Sequence, residues 1–426
     1  MTSKDSRHLD SNGRRSFLKG ATALSAATAI GGFPSILKAQ SQDVIKIGMP
    51  TILSGRVSIL GESSRNGALT EINRFNDAGG LDGRKIELVT RDSRGKPDEA
   101  ARAVRDLVNS EGCQIILDAE ASSGSFAVQE VVRDLGVLCL HTVSEASPLT
   151  ADPKLRASTA FRAARQGIHD AIGGGDYAAR ISREKGLKRW MTCSPDYAYG
   201  RTTTAEFMEF TKYFEPSIEV VDEAWPKLFQ PDYTEVVTKI LQSKPDALYS
   251  ALWGGDLIAF IDQANLYGLF EQLETFAVNL GDYPVLSAVQ ALPKGIRSGT
   301  RYNKAVPPKP ENDAWYETYV KTFDQLPTNW SWENATGAKF VIQALQEVRD
   351  TDGKKLAEAI RGMKIESPFG VDGTLTMRAE DHTLVGYSVG YGVTVPKEPF
   401  MVDFAGADWA KIFELESSWK KRNGFA

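Results

Sequence analysis

Two hydroxyl-rich stretches follow strand-like runs in the first half of the chain. The apolar run 114–117 leads into Ser122 and Ser123, and the run 137–141 leads into a second such stretch that begins at Ser144. Free backbone N–H groups at the start of a helix, together with serine hydroxyls, can bind an anion such as a carboxylate. The same serines could serve only as helix caps, so the residues alone leave both interpretations open.

No catalytic or metal-binding motif accompanies these stretches. The sequence has no Gly-x-Ser-x-Gly elbow, Walker loop, His-Glu-x-x-His motif or Cys-x-x-Cys pair. Three cysteines, an odd number, lie in apolar surroundings, which favours buried thiols over a disulfide or a reactive site. The four histidines are scattered through the chain, at His8, His141, His169 and His382. We therefore expect a binding protein with no cofactor and no metal, rather than an enzyme.

The chain opens with a βαβ unit. A strand is predicted at 44–49, followed by a loop at 50–61, a helix at 62–78 and a second strand at 85–92. The apolar positions of the helix recur every three or four residues, at Ala68, Leu69, Ile72 and Phe75. Sheets built from such units bind ligands in the loops that follow their strands. Both serine stretches and the loop 50–61 are therefore predicted to share one binding edge.

This opening resembles the branched-chain amino-acid-binding proteins of ABC transporters, a periplasmic type I solute-binding family. The matching residues are Ile47-Gly48, Leu53-Ser54-Gly55, Gly61, Asn66-Gly67-Ala68, Ile72-Asn73, Gly79-Gly80, Gly83 and Asp92. The match continues, with fewer residues, to about residue 380. The resemblance implies two doubly wound α/β domains that are joined by a three-strand hinge and close on a ligand.

The βα alternation restarts after an extended segment at 157–162, which is predicted to cross into the second domain. The return crossing is predicted at 301–306 and a third crossing at 369–377. The predicted bounds are 43–160 plus 302–368 for the N-terminal lobe and 161–301 plus 369–426 for the C-terminal lobe.

The resemblance also implies ligand contacts. In the resembled family, the loops at Ser122 and Ser144 hold the carboxylate and amino group of the ligand. Tyr199 matches a tyrosine that faces the cleft, although Tyr197 is not ranked against it. Trp253 aligns with an aromatic residue that covers the ligand, with a buried core tryptophan as the alternative. For Trp330 and Trp332, which precede a predicted helix at 335–348, packing is favoured over a place in the pocket.

Three positions depart from the family pattern, at Asp282, Arg56 and Leu60, and Leu60 stands where an aromatic residue is common. Amino-acid binders pair the ammonium of the ligand with an acidic residue, and here only Asp282, which is displaced along its loop, and Glu145 are candidates. Arg56 stands where the family is usually uncharged, and a guanidinium near a cleft favours an anion. We therefore predict a ligand with a carboxylate and an apolar or aromatic body but no essential α-amino group.

Residues 1 to 39 indicate an export signal. Arg14-Arg15-Ser16-Phe17-Leu18-Lys19 fits the twin-arginine pattern, and an alanine-rich run continues to Ala39. A membrane anchor is disfavoured because Gly, Ser, Thr and Pro34 interrupt the run. Removing these residues, with six basic and two acidic side chains, would change the formal net charge from −5 to −9. Such an acidic chain has no general affinity for nucleic acid or anionic lipid.

We therefore expect an exported, periplasmic substrate-binding protein of an ABC importer. Its candidate ligands are aromatic or aliphatic acids and branched-chain or aromatic amino acids. Its expected partners are that ligand and the permease subunits, and it is expected to act as a monomer, without nucleic acid and without inserting into the membrane. A periplasmic sensor of amides or amino acids on the same fold shares all these features and stays open as an alternative.

Overall fold

The computed structural model describes residues 44–426, so the predicted export signal at 1 to 39 lies outside the described residues. The first lobe begins with β1 (Ile45–Thr51), α1 (Ile59–Asp77), β2 (Ile86–Asp92), α2 (Pro97–Asn109), β3 (Ile115–Asp118), α3 (Ser122–Leu135), β4 (Leu138–His141), α4 (Pro148–Ala151) and β5 (Ala160–Arg162). Its strands form a parallel sheet in the order β2-β1-β3-β4-β5. The loops after β1, β3 and β4 therefore meet at one edge, as predicted.

The second lobe repeats this arrangement. Its first elements are α5 (Gly167–Lys185), β6 (Arg189–Cys193), α6 (Ala198–Phe214), β7 (Glu219–Ala224), α7 (Thr234–Ser243), β8 (Ala247–Ser250), α8 (Gly254–Leu266), β9 (Glu274–Ala277), α9 (Tyr283–Ala288) and β10 (Arg297–Gly299), with a short 3₁₀ turn at Leu269–Glu271. Strands β6 to β10 are parallel. Strand β8 is fully buried and β9 is buried after its first residue, which explains why these central strands read as short apolar runs.

The chain then returns to the first lobe. It adds α10 (Pro310–Phe323), α11 (Asn329–Val348), α12 (Gly353–Ile360) and a small antiparallel sheet of β11 (Lys364–Glu366), β12 (Thr374–Met377) and β13 (Leu384–Val385). Helix α11 packs along α1. At Gly67 of α1, a β-carbon would lie 2.1 Å from the backbone oxygen of Ser331. Glycine thus allows a close helix approach, which places the first turn of α11 beside the cleft.

The last segment completes the second lobe with β14 (Gly390–Thr394), β15 (Met401–Gly406) and α13 (Trp409–Arg422). The second sheet has the order β15-β14-β10-β9-β8-β6-β7. Strand β14 pairs antiparallel with β10, and β15 pairs antiparallel with β14. Helix α13 packs on α5.

Three extended segments connect the lobes, as predicted, and hydrogen bonds hold them side by side. On the first segment, Nη1 of Arg165 donates to the carbonyl oxygen of Ser388 on the third at 2.8 Å. On the second segment, the N–H of Thr300 donates to the carbonyl oxygen of Gly390 at 2.9 Å. The three crossings therefore form one hinge.

The third crossing does not lie where we predicted it, at 369–377. The chain turns back at Gly373, which has φ +88°, and the N–H of Ser367 donates to the carbonyl oxygen of Gly373 at 2.8 Å. Strand β12 consequently pairs with β11 and β13, and the crossing follows at 386–389. The break that we predicted after residue 368 thus moves toward residue 386, while the other lobe bounds stay predictions.

Candidate ligand-binding site

A cavity of about 30 Å³ lies between the lobes, where strands of both sheets end. The first lobe contributes Leu60, Ala121, Ser122, Val143, Glu145 and Trp330, the second lobe contributes Tyr197, Tyr199, Trp253 and Asn279, and the second crossing contributes Arg301.

The start of α3 forms the polar part of the first-lobe wall. No side chain caps this helix, and its hydrogen bonds begin where the N–H of Gly124 donates to the carbonyl oxygen of Ala121 at 2.8 Å. The N–H groups of Ser122 and Ser123 are thus left outside the backbone hydrogen bonds formed among residues 44–426. The Ser122 hydroxyl oxygen accepts from the Ser144 hydroxyl at 3.1 Å, so its own hydrogen can be donated. These donors and the helix dipole favour an anion.

The second-lobe wall carries a fixed polar pair. Nδ2 of Asn279 donates to the phenol oxygen of Tyr199 at 2.8 Å and to the carbonyl oxygens of Ala251 and Leu252 at 3.2 Å each. Burial raises the pKa of Tyr199 well above its ordinary value, so the phenol is neutral. This wall therefore offers uncharged hydrogen-bonding groups.

One tryptophan from each lobe faces the other across the cavity. Trp253 directly precedes α8, and Trp330 lies in the first turn of α11. Their ring centroids are 5.6 Å apart, with the planes at 78°. Tyr197 adds a third ring, 6.0 Å from that of Tyr199. Aromatic rings in this arrangement favour a flat, apolar body.

One ion pair supplies the charged side chains of the lining. The guanidinium of Arg301 contacts the carboxylate of Glu145 and lies 3.4 Å from Oδ2 of Asp170. Burial lowers the pKa of Arg301 to about 10, so the guanidinium stays charged at neutral pH. Nδ2 of Asn329 donates to the same Glu145 carboxylate at 3.4 Å. Within the described residues, the lining therefore has no acidic group that is free of a basic partner.

A model of the periplasmic binding protein family matches residues 44–394. The chain belongs to this family. Leu/Ile/Val-binding protein homolog 4 of Brucella abortus (strain 2308) is 25% identical over 390 residues, which cover 86% of this chain and 86% of that protein. The resemblance to the branched-chain amino-acid-binding proteins is thus confirmed.

Solved structures of periplasmic binding proteins share the fold. A solute-binding protein of an ABC transporter from Rhodopseudomonas palustris BisB5, in complex with 3,4-dihydroxybenzoic acid, gives a TM-score of 0.76 at 23% identity and covers 86% of this chain and 97% of its own. A solute-binding protein of R. palustris in complex with benzoate gives a TM-score of 0.74 at 20% identity and covers 86% of this chain and 99% of its own. The predicted fold of two doubly wound α/β domains is confirmed.

Membership of this family gives the general function of the chain. Members of the family are solute-binding proteins of ABC transporters, which bind small molecules, work with permease subunits and are not enzymes. The family name also implies a periplasmic location. Among residues 44–426, no helix combines the length and apolarity needed to cross a membrane, and no group of His, Cys, Asp and Glu side chains could hold a metal ion.

The cavity of this periplasmic binding protein includes four of the residues predicted to contact the ligand, namely Ser122, Glu145, Tyr199 and Trp253. Ser144 lies behind Ser122 and is buried, whereas Ser123 is half-buried and outside the lining. Ligand contact by each of these residues stays a prediction.

Asp282 and Arg56 also lie outside the lining. Asp282 is buried, and its Oδ1 accepts a hydrogen bond from the N–H of Asn329 at 2.7 Å. Burial raises the pKa of Asp282 to about 7. Arg56 reaches across the mouth of the cleft, where its Nη2 donates to the carbonyl oxygen of Gln230 at 2.6 Å and to Oδ1 of Asp256 at 3.2 Å. Neither side chain is placed to meet a ligand directly in this arrangement.

Trp330 and Trp332, which precede the predicted helix at 335–348, lie in different surroundings. Trp330 lies in the lining of the cavity, contrary to our preference for packing, whereas Trp332 lies outside that lining. The indole Nε1 of Trp332 donates to the carbonyl oxygen of Arg301 at 3.2 Å and so supports the second crossing.

Helix α11 begins at Asn329, before the predicted start at residue 335. Oγ1 of Thr328 accepts from the N–H of Trp330 at 3.1 Å, and Oγ of Ser331 accepts from the N–H of Thr328 at 3.0 Å. This reciprocal cap uses serine where glutamate or glutamine is common, which explains why the start was missed.

Sequence reasoning also missed Arg301 and Asn279 as lining residues. We assigned Arg301 only to the return crossing, and Asn279 only to the loop that carries Asp282. A basic residue within a short crossing segment was the available signal, because a charge at a buried hinge needs partners. The three cysteines are free and buried as predicted, and burial raises the pKa of Cys113 to about 11.

Proposed function

We propose that this protein captures a small aromatic carboxylate between its lobes and delivers it to an ABC importer. The observation that carries the proposal is how the charges of the cavity are distributed. Glu145 is bound by Arg301, whereas the start of α3 offers donors at Ser122. A carboxylate finds donors there, but an ammonium finds no free acid, and an unpaired buried ammonium costs several kcal/mol.

The aromatic body is supported by the shape and chemistry of the rest of the cavity. Trp253 and Trp330 supply two rings set edge to face, and Leu60 and Val143 add apolar surface. The two R. palustris proteins that share this fold hold 3,4-dihydroxybenzoic acid and benzoate. The neutral amide and phenol on the second-lobe wall suit a hydroxyl group on such a ring.

Closure of the lobes supplies the binding mechanism. A ligand that accepts from Ser122 on the first lobe and meets Tyr199 on the second makes both contacts only when the lobes are closed. The ligand therefore binds the closed form more tightly and shifts the population toward it. Permease subunits can then distinguish loaded protein from empty protein by its shape.

The test is a ligand panel on the protein as it exists. Benzoate, 4-hydroxybenzoate and 3,4-dihydroxybenzoate are compared with leucine, isoleucine and valine by thermal unfolding and calorimetry. A ligand at 100 times its Kd adds about 2.7 kcal/mol to the free energy of unfolding, so binding raises the melting temperature. We expect at least one aromatic acid to do so. Stabilisation by leucine, isoleucine or valine and by none of the acids would overturn the proposal in favour of an amino-acid carrier.

Export and assembly form the second part of the proposal. We infer that residues 1 to 39 direct export through the twin-arginine pathway and that the exported chain acts as a monomer. Replacing both Arg14 and Arg15 by lysine should stop export, which is followed by the amount of protein in the periplasmic fraction. Unchanged export would contradict the pathway but not the ligand.

A further inference from the structure

The guanidinium of Arg56 joins the two lobes at the mouth of the cleft. Arg56 lies in the first-lobe loop between β1 and α1, whereas its partners Gln230 and Asp256 belong to the second lobe. The Arg56 side chain is 39% exposed and that of Asp256 only 1%. The contact is therefore a rim contact in which one partner faces water and the other is buried.

Asp256 binds Arg56 and also positions the second-lobe loop that carries Gln230. Its Oδ2 accepts a hydrogen bond from the N–H of Phe229 at 2.7 Å, which fixes the second-lobe loop that carries Gln230. Burial raises the pKa of Asp256, and the Phe229 N–H and the charge of Arg56 offset part of that rise. One carboxylate thus links α8, the loop before α7 and the first lobe.

The lobes approach closely around the pair. At Gly255 of α8, a β-carbon would lie 2.7 Å from the carbonyl oxygen of Arg56. The ring of Phe229 lies against Gly95 of the first lobe, where a β-carbon would come within 3.2 Å of Cζ. The Arg56–Asp256 bond, at 3.2 Å, thus forms where the two lobes are in close contact.

These rim residues adjoin the cavity without lining it. Trp253 directly precedes α8, and Leu60 lies in the first turn of α1, just after the loop that carries Arg56; both are in the lining. The rim can thus close fully only if the ligand stays inside the cavity. A ligand that is too long holds the lobes apart before Arg56 reaches Asp256.

We propose that the Arg56–Asp256 pair is a latch that makes the site selective for short acids. A short acid gains the latch in addition to its own contacts, whereas a longer acid with the same head group does not. This inference rests on the proposed capture of carboxylates by cleft closure. It assigns Arg56 a positioning role across the lobes.

The test compares two acids that differ in length, 4-hydroxybenzoate and 4-hydroxycinnamate, on the wild type and on Arg56→Gln. We expect Arg56→Gln to lower the affinity for 4-hydroxybenzoate by about three- to tenfold, because the variant loses a partly buried rim pair. The loss should come mainly from faster dissociation. Binding of 4-hydroxycinnamate should stay within about twofold, since that ligand never gains the latch. The preference for the shorter acid should therefore shrink.

Two further variants sharpen the result. Adding Asp256→Asn to Arg56→Gln should cost little more than either change alone, because the pair acts as a unit. Arg94→Gln is the matched control, since it removes an exposed positive charge from the next first-lobe loop. It should affect both acids alike and by less than about twofold.

Equal weakening of both acids by Arg56→Gln, or no weakening of either, would overturn the latch. If the wild type binds neither acid, the proposed function fails, and the latch, which rests on it, fails with it. A wild type that binds both acids and an Arg56→Gln variant that keeps the same preference for the shorter acid would overturn the latch alone.

Discussion

The carboxylate of Asp282 accepts a hydrogen bond from the backbone N–H of Asn329 at 2.7 Å, outside the lining of the cavity. Asp282 precedes α9 of the second lobe, and Asn329 begins α11, which packs on the first lobe. The bond therefore supports the helix turn that carries Trp330. This arrangement favours a supporting role for Asp282 over direct contact with a ligand.

Replacing Asp282 by asparagine should thus leave the affinity for 4-hydroxybenzoate within about tenfold, or about 1.4 kcal/mol, of the wild-type value. Asparagine keeps an oxygen that can accept from the Asn329 N–H. Calorimetry of both proteins measures the difference. Tight wild-type binding of leucine, valine or phenylalanine that disappears in Asp282→Asn would instead restore an amino-acid ligand.

Ser122→Ala should weaken binding of the same acid by about ten- to a hundredfold. A hydrogen bond to a charged group contributes about 1.5 to 3 kcal/mol, and the hydroxyl of Ser122 lies at the cavity. Stability should fall by no more than about 1 to 2 kcal/mol. Ser123→Ala is the matched control, because Ser123 is the next residue of α3 but lies outside the lining. Wild-type affinity in Ser122→Ala would remove α3 from the site.

Trp330→Phe should lower the affinity for aromatic acids by about two- to tenfold, the range expected for a lost aromatic contact. It should also reduce the change in tryptophan fluorescence that accompanies binding. Trp332→Phe provides the comparison, since it removes the hydrogen bonds from the indole to the Arg301 carbonyl and to Oδ1 of Asn329 without replacing a residue of the lining. That variant should be less stable by roughly 0.5 to 1.5 kcal/mol, with affinity nearly unchanged. If Trp332→Phe lowered the affinity and Trp330→Phe did not, Trp332 rather than Trp330 would contact the ligand.

Local sequence signals account for the parts of the fold that we could predict. The sequence predicts a helix at Pro97 to Asn109, because proline marks its first turn and its apolar residues share one face, and α2 has these bounds. Ser122 lies in the lining of the cavity, and a strand end followed by a helix start is enough to indicate its position at that edge of the sheet. The turn at Gly373 was missed because a glycine-rich β-like run fits a crossing strand as well as a hairpin.

Contacts between distant parts of the chain account for what we could not predict. Arg56 and Asp256 are separated by 200 residues, and their pairing depends on how the lobes meet. The same holds for Arg301 and Glu145, which come together only at the hinge. A charged residue near a cleft therefore suggested a ligand contact at Arg56, whereas the folded chain supplies a protein partner.

Glu206 should make the stability of the protein depend on pH. Its Oε2 accepts a hydrogen bond from Ser147 at 2.9 Å, whereas its Oε1 is buried without a partner among the described residues. Burial raises the pKa of Glu206 from 4.5 to about 8, so the folded chain holds this proton more tightly than the unfolded chain. The resulting stabilisation is complete below the unfolded pKa and is lost as the pH rises toward about 8.

Glu206→Gln removes this titration. The free energy of unfolding of the variant, relative to the wild type, should therefore increase by about 2 to 4 kcal/mol between about pH 5 and pH 8. Urea unfolding at the two pH values measures it. Glu209→Gln is the control, because Glu209 lies on the same helix but is exposed and paired with Arg422. If the difference in the free energy of unfolding between Glu206→Gln and the wild type is constant across this range, Glu206 does not stay protonated in the folded protein up to about pH 8.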